Sequence, residues 1–401
     1  MRILVVQETN WIDSMPLQTH HIMESLARNG HDIRVVDFEA RWKPLDLRQS
    51  LKTRTYFGIN RSTSEASVRL IRPGMVKLPG VDRLSSFATQ FKVIFEQMLA
   101  WCDVVVLYSV PTNGLQTIIS SKLLSKPVVF HSFDVLHRMT GHEFLRAPTW
   151  TLERFVYPKA NKVIVISAVL GLYMKKIGVR DEDIFLLPPA VDTSRFNPTV
   201  QGGRFRQELG VGDQDRLVLF SGWLYEFAGV DLVMGSLSQL LREVPRLKLI
   251  VCGDGPLLSK LTRMRHELRV ENHVYLLGRR PFQQMPEIIA AADVCINPYL
   301  PEVRSIFAFP SKIAEYMASG KAVVSTDLPG TRSILGRDSG ALLVDPENFV
   351  ASVTTMLIDD DVRRKHAKRC RQFCEDNFSL ESVSKKFENV LVEAISQRAK
   401  N

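Results

Sequence analysis

No apolar run in this 401-residue chain approaches the roughly 20 residues that a membrane-spanning helix needs. The opening segment Met1 to Val6 reads as a strand and turns polar at Gln7 and Glu8. It is too short for the apolar core of a signal peptide, so a cytosolic protein is the expectation. Cysteine is sparse and unpaired: Cys102, Cys252, Cys295, Cys370 and Cys374 are odd in number and contain no C-x-x-C pair. Cys370 and Cys374 lie four apart on an expected helix without a matching His pair, which leaves reduced structural thiols as the reading. The chain also lacks low-complexity tracts and 20 to 50 residue repeats, excluding a disordered tail or a solenoid.

A chain this long exceeds what one core usually supports, so two domains of about 200 residues are expected. The net charge is +9, and it is uneven. Residues 41–100 hold eleven cations (Arg41, Lys43, Arg48, Lys52, Arg54, Arg61, Arg69, Arg72, Lys77, Arg83, Lys92) against four acids (Asp46, Glu65, Asp82, Glu96). With Trp42, Tyr56 and Phe57 among them, this stretch suits an anionic membrane surface or an anionic acceptor, and equally a solvated basic loop region. No nucleic-acid module accompanies the charge, so nucleic acid is not an expected partner.

The first half alternates strand and helix. Ile3–Val6 and Asp32–Asp37 flank a helix over Leu17–Asn29 that stops at Gly30, and Asp103–Tyr108, Pro127–His131 and Lys162–Ser167 continue a parallel sheet. The turn-rich segment Leu187–Pro198 is the expected linker, dividing a domain 1–192 from a domain 199–379. The second series has strands at Leu217–Ser221, Leu247–Cys252, Val274–Leu277, Val294–Asn297 and Ala322–Thr326, with helices around Val230–Glu243, Leu257–Glu267 and Met285–Ala292. A last helix, Leu380–Arg398, carries an apolar stripe of Val383, Phe387, Val390, Leu391 and Ala394.

The most informative stretch is Phe309 to Gly330, FPSKIAEYMASGKAVVSTDLPG. Pro310 suits a first helical position and Gly320 a stop. The apolar run Ala322–Thr326 then suits a central strand buried on both faces. Free N–H groups and the positive dipole end at Ser311 and Lys312 suit a diphosphate, and Glu315, one turn further in, suits a ribose diol. Lys312 and Glu315, three apart, are equally compatible with a plain surface ion pair. The runs Asp181-Glu182-Asp183 and Asp359-Asp360-Asp361 precede expected helices, where acids favour the amino end, and are not read as metal sites. No metal or cofactor is expected.

In order, FSGWLYEFAGVD (Phe220–Asp231), LIVCGDGP (Leu249–Pro256), VYLLGRRPFQQMPEIIAAADVCINP (Val274–Pro298) and PSKIAEYMASGKAVV (Pro310–Val324) resemble the retaining glycosyltransferases of family 4, glycosyl transferases group 1. RNGHDIRVVD (Arg28–Asp37), ANKVIVIS (Ala160–Ser167) and PPAVDTSRFNP (Pro188–Pro198) extend the resemblance over essentially the whole chain. It implies an α/β GT-B fold of two Rossmann-like domains facing across a cleft. The first would be the acceptor domain, with the helix of about 380–401 packed back on it, and the second the nucleotide-sugar donor domain. The implied activity is hexosyl transfer from a nucleotide-sugar to a glycan, glycolipid or other hydroxyl acceptor with retention of configuration, in the cytoplasm or on the cytoplasmic membrane face. The implied catalytic residues are His131, Lys312 and Glu315. The implied donor contacts are Gly222 and Trp223 in the first loop, the Gly253 and Gly255 turn, Gly278, Arg279 and Arg280 near the base, Arg304, and Phe309, Pro310, Ser311, Lys312 and Glu315. Departures are equally specific. The first carboxylate of the family's paired-glutamate motif falls on Phe307, and Pro310-Ser311-Lys312 resembles the Pro-x-Lys variant instead. Two usual cations fall on Trp223 and Ala228, where Lys312 and Arg304 would substitute, and the loop Thr9–Leu17 has none of the family's paired glycines. Two other readings stay open on the sequence: a nucleotide-sugar epimerase or hydrolase of the same build, and a non-catalytic nucleotide-sugar-binding subunit.

Overall fold

The computed structural model describes residues 1–39, 51–63, 65–78, 81–108 and 113–398. The chain divides into two units, Met1–Pro188 with Leu380–Asn401, and Pro189–Ser379. Arg41, Lys43, Arg48 and Asp46 of the basic stretch, and Trp42, lie outside the described residues.

The first unit is built on an eight-stranded sheet of order β3-β4-β2-β1-β5-β6-β7-β8. Its strands are β1 (Arg2–Val6), β2 (Asp32–Val36), β3 (Arg54–Ile59), β4 (Val68–Arg72), β5 (Val104–Leu107), β6 (Val128–Ser132), β7 (Lys162–Val165) and β8 (Ile184–Leu186). All pairings are parallel except β3 with β4. β1, β5 and β6 are apolar and almost wholly buried, as strands covered on both faces must be. The strand order reverses beside β1, between β2 and β5, which is where open α/β sheets leave a crevice at their carboxyl ends. Helix Leu380–Arg398 packs on helix Gln18–Arg28 and on β5 and β6, burying the stripe Val383, Phe387, Val390, Leu391 and Ala394.

The glycine-free loop Thr9–Leu17 is held by side chains rather than by turn glycines. Trp11 is fully buried against the His20 ring at 4.0 Å, and its backbone N–H donates to Asp37 at 2.9 Å. His20 Nδ1 accepts from the Leu17 N–H, so Nε2 carries the proton and donates to the Trp11 carbonyl at 3.0 Å. Burial lowers the His20 pKa to about 4 and keeps the ring neutral.

Among the described residues of the basic stretch, several cations are engaged by acids or rings. The stretch contains β3, β4 and a 20-residue helix, Val81–Ala100. Arg72 is buried in a bidentate bond to Asp37, Lys77 and Arg54 both engage Glu39, and Arg69 and Arg83 lie over the rings of Phe57 and Phe38.

The second unit has a six-stranded, all-parallel sheet of order β11-β10-β9-β12-β13-β14. The strands are β9 (Arg216–Ser221), β10 (Leu247–Cys252), β11 (Val274–Gly278), β12 (Val294–Asn297), β13 (Ala322–Thr326) and β14 (Leu342–Val344). Here the order reverses between β9 and β12. The expected helix Val230–Glu243 is two helices, Val230–Gly235 and Leu237–Glu243, parted at Ser236, where Gly235 is a poor interior residue. The acidic runs are engaged in caps and ion pairs. Asp359 accepts from the N–H groups of Asp361 and Val362, Asp360 meets Arg363 and Arg216, and Asp183 meets Lys162 and Arg180. Among the described residues, no group of three or more His, Cys, Asp or Glu is placed to hold a metal ion.

Candidate functional site

In the second unit the carboxyl ends of β9 and β10 interlock through glycine. Gly222 follows β9 with φ +128°, and its N–H donates to the Cys252 carbonyl at 2.9 Å. A Cβ on Gly253 would lie 1.9 Å from the Gly222 oxygen, so only glycine permits this crossing. Gly255 has φ +148°, and a Cβ there would stand 2.6 Å from the Leu224 oxygen. Gly278, at φ +64°, ends β11 beside Cys252, and the following Arg280 keeps a buried Nε without a hydrogen-bond partner. Arg279 is exposed.

The helix that follows β12 is Ser311–Ala318. Pro310 is its N-cap rather than its first helical residue, and no side chain caps it, which leaves the first N–H groups open. Tyr316 fixes the helix to the sheet: its buried hydroxyl accepts from the Ser221 N–H at 2.7 Å and lies 2.9 Å from Ser221 Oγ. Ser221 immediately precedes Gly222, so this bond sets the helix start against the glycine crossing.

Lys312 departs most from expectation. A lysine at a helix start ordinarily reaches solvent. Here it is 7% exposed, with Nζ 3.8 Å from the Phe220 ring centroid and 4.4 Å from that of Tyr299. Its Nζ has no hydrogen-bond partner. A Cβ on Gly222 would lie 3.3 Å from this nitrogen, so the missing side chain is what admits the ammonium. Desolvation drives the Lys312 pKa well below its usual value, and only the Glu315 charge opposes it. Glu315 is half-buried. Desolvation raises its pKa to about 7, with Lys312 pulling the other way. Lys312 Nζ is thus desolvated and without a hydrogen-bond partner, three residues before Glu315 and beside a free helix amino end. A solvent-facing surface pair would show neither property.

Other expected donor contacts separate from this group. Phe309 turns into the core and meets Phe378 edge-on at 5.6 Å. Arg304 is held by Glu302 at 3.0 Å and Glu226 at 3.7 Å, and lies 4.9 Å over Phe227, so its charge is already matched. Trp223 is about half exposed, edge-on to Tyr225, and Ala228 is fully buried. One residue absent from the sequence reading joins the site's edge. Asn297, the last residue of β12, is fully buried; its Nδ2 donates to Ser325 Oγ at 3.0 Å and its Oδ1 has no partner.

In the first unit, His131 lies in β6 with both ring nitrogens buried and unpartnered. Its ring contacts Tyr108, Phe133 and Phe387 at 5.2, 4.5 and 5.4 Å. Burial lowers its pKa to about 3, so the imidazole is neutral. It has company that sequence reading missed. The register pairs Val6 with Leu107 and Leu107 with Phe130, so Gln7, Tyr108 and His131 form the next lateral row across β1, β5 and β6. Residues in one lateral row share a face. Each is buried and has an unpartnered atom: Gln7 Oε1, the Tyr108 hydroxyl and the His131 nitrogens. Asn113, before helix Gly114–Leu124, leaves both amide atoms unpartnered. Gathered at the switch-point edge of the sheet, these buried polar groups are suited to a polar ligand.

Two α/β units built on largely parallel sheets match the GT-B class of fold, and solved structures agree. Anabaena HepE in complex with UDP and glucose superposes with a TM-score of 0.75 at 19% identity, over 98% of this chain and 100% of that one. Sucrose-phosphate synthase from Thermosynechococcus elongatus gives 0.75 at 16% identity, covering 99% of each chain. Residues 17–195 match Glycosyltransferase Family 4 and residues 215–359 match Glycosyl transferases group 1, and between them these matches place the chain in the family 4 group of GT-B glycosyltransferases. Among curated relatives, a D-inositol 3-phosphate glycosyltransferase of Corynebacterium aurimucosum is 28% identical over 54% of this chain and 52% of the relative. A GDP-mannose-dependent alpha-(1-6)-phosphatidylinositol monomannoside mannosyltransferase of Mycolicibacterium smegmatis is 32% identical over 43% of this chain and 42% of the relative. The chain spans about half the length of the curated relatives it matches.

Proposed function

We propose that this protein transfers a hexosyl group from a nucleotide-sugar to a hydroxyl of a glycan or lipid-linked acceptor, with retention of anomeric configuration. The observation that carries the reading is the Lys312 ammonium, buried without a partner beside Glu315 at an uncapped helix start. A protein keeps such a group only where something else completes it, and a diphosphate completes it well: its negative charge pairs with the ammonium and its oxygens accept from the open N–H groups. Glu315 accepts the ribose hydroxyls. The Gly222–Gly253 crossing lets backbone approach the donor, and Gly278 to Arg280 receives the base.

In the reaction, the bond from the anomeric carbon to the diphosphate oxygen breaks. The bond to the acceptor oxygen forms on the same face, and the acceptor proton passes to the departing diphosphate. Lys312 and the helix N–H groups stabilise the charge that develops on the leaving oxygen, as an oxyanion site does. The neutral His131, with Gln7, Tyr108 and Asn113, offers amide, phenol and imidazole groups suited to an uncharged, hydroxyl-rich sugar. No protein nucleophile or metal enters this scheme.

The test is a thermal-shift screen of the full chain against nucleotide-sugars, UDP-glucose and GDP-mannose included, followed by NMR of the product. A stabilising donor, nucleotide release that depends on acceptor, and a product anomer matching the donor are expected. Full-rate donor consumption without acceptor would instead identify a hydrolase or epimerase, and tight binding with no turnover a binding subunit.

A further inference from the structure

The connection that leaves β6 carries two polar groups that the proposed chemistry does not use. It continues from the carboxyl edge of the first sheet into the single-turn helix Leu136–Met139, which holds His137. The His137 ring is fixed by Glu153 of helix Arg146–Val156, a wholly buried carboxylate. Among the described residues, the only ion-pair partner of Glu153 is His137, so no lysine or arginine offsets the cost of enclosing it.

Hydrogen bonds supply the compensation instead. The His137 backbone N–H donates to Glu153 Oε1 at 3.0 Å, and the ring Nδ1 meets Oε2 at 2.7 Å. The Tyr173 hydroxyl, from helix Ala168–Lys176, donates to Oε2 at 2.5 Å, and the Tyr157 hydroxyl lies 3.5 Å from Oε1. Burial pushes both phenols above their ordinary range, so each keeps the proton it donates. A carboxylate only accepts, so in the neutral ring the proton sits on Nδ1 and Nε2 keeps its lone pair. The ring is 17% exposed, and among the described residues Nε2 has no hydrogen-bond partner.

Pinning the turn needs only the backbone bond. The ring bond adds a set orientation, the arrangement by which a carboxylate readies an imidazole to receive a hydrogen bond. Three residues earlier, burial pushes the Asp134 carboxyl up to about 6, and no neighbouring charge or hydrogen bond opposes it. One short connection therefore presents an imidazole nitrogen and a carboxylate, two acceptors left open by the described residues. Open acceptors suit a ligand rich in donors, and hydroxyl groups are such donors.

We propose that this connection is a hydroxyl-recognition subsite, in which His137 Nε2 and the Asp134 carboxylate accept from hydroxyls of a polyol or sugar acceptor. Glu153 and Tyr173 are positioning residues that hold the His137 ring for it. The ligand's role as acceptor rests on the transfer reading, while its binding stands on these four residues alone. Such pairing makes the hydroxyls a specificity requirement, because an acceptor lacking them leaves both groups without a partner.

The experiment is long-range proton–nitrogen NMR of the full chain with isotope-labelled histidine, titrated with myo-inositol, with methyl α-D-mannoside, and with cyclohexanol as the probe lacking a diol. The His137→Phe spectrum assigns the His137 signals. The free protein should show Nδ1 protonated and Nε2 bare, and a polyol should move the Nε2 resonance where cyclohexanol does not. Glu153→Gln, whose amide can donate to Nδ1, should move the ring proton to Nε2 and weaken polyol binding at least about tenfold. A merely structural Glu153 would change the melting temperature and not the tautomer. Ligand-observed NMR should show a loss of at least about tenfold in His137→Phe and in Asp134→Ala, both partly exposed positions that keep the test sound if Glu153→Gln does not fold. An Nε2 resonance that no polyol moves overturns the proposal, as does binding that His137→Phe and Asp134→Ala retain in full. Polyol binding that depends on His137, in a protein that no nucleotide-sugar stabilises, would uphold the subsite and remove the transfer reading.

Discussion

Replacing Lys312 by methionine should leave the protein as stable as before, or more stable, while nearly abolishing transfer. The substitution retains the stem that packs between Phe220 and Tyr299 and removes the unpartnered ammonium. Relieving a buried, unsatisfied polar group recovers about 1–3 kcal/mol. Against that stands the cation–π attraction, about 2 kcal/mol when desolvated, of which a sulfur–aromatic contact restores about 1 kcal/mol. The net change is about 0 to +2 kcal/mol, or a melting-temperature rise of about 0–6 °C for a unit of this size. Loss of the leaving-group cation should lower turnover about 100-fold or more, the equivalent of ~2.7 kcal/mol in the barrier. Differential scanning calorimetry and a donor-turnover assay on the same preparation measure both. If Lys312 were half of a structural ion pair with Glu315, its removal would cost about 3–5 kcal/mol and lower the melting temperature by roughly 10 °C. That drop, combined with unchanged turnover, would refute the reasoning.

Other outcomes follow from the same geometry. Glu315, whose folded pKa of about 7 exceeds the ordinary carboxylate value, holds its proton longer in the native state; its contribution to stability is therefore greatest at low pH and is lost as pH rises toward 7. Glu315→Gln should flatten that decline in a denaturant series across pH 4.5 to 7.5 and weaken nucleotide binding at pH 8. Tyr108→Phe removes a buried hydroxyl that has no partner, so an unchanged or raised melting temperature with at least a tenfold loss of transfer is expected; a destabilised variant with full activity would make the hydroxyl structural. Gly253→Ala forces a Cβ to within 1.9 Å of the Gly222 oxygen and should destabilise the protein by about 2–4 kcal/mol and abolish the nucleotide-induced thermal shift. A pH–rate profile should show no inflection near 6.5 from His131, because its burial keeps the imidazole neutral well below that pH.

Legibility of the fold followed burial. β9, β10, β12 and β13 are apolar runs ended by glycine, proline or a polar turn, and their sequence-based bounds fall within a residue of the structural ones. β3 alternates weakly and sits exposed at the sheet edge, while β8 and β14 are three residues long, too little pattern for periodicity to reveal. Helix Val81–Ala100 was hidden by its own apolar outer side, which blurs the usual contrast between faces. The helix start at Pro310-Ser311-Lys312 and the glycine turns were readable because a helix start and a tight turn are local features. The burial of Lys312 was not, since Phe220 and Tyr299 approach it only through the sheet. The row of Gln7, Tyr108 and His131 is likewise a product of strand register between separate segments of the chain. The acids that meet Arg304, an expected donor contact, were not legible because Glu226 and Glu302 reach it only after folding.

A crystal structure of the protein with UDP or GDP, whichever nucleotide stabilises it, tests the central claim most directly. The account predicts the diphosphate at the Ser311–Lys312 helix start with Lys312 Nζ drawn to within about 3 Å of a phosphate oxygen, and the ribose hydroxyls on Glu315. A nucleotide bound elsewhere, with Lys312 still enclosed between Phe220 and Tyr299, would contradict it.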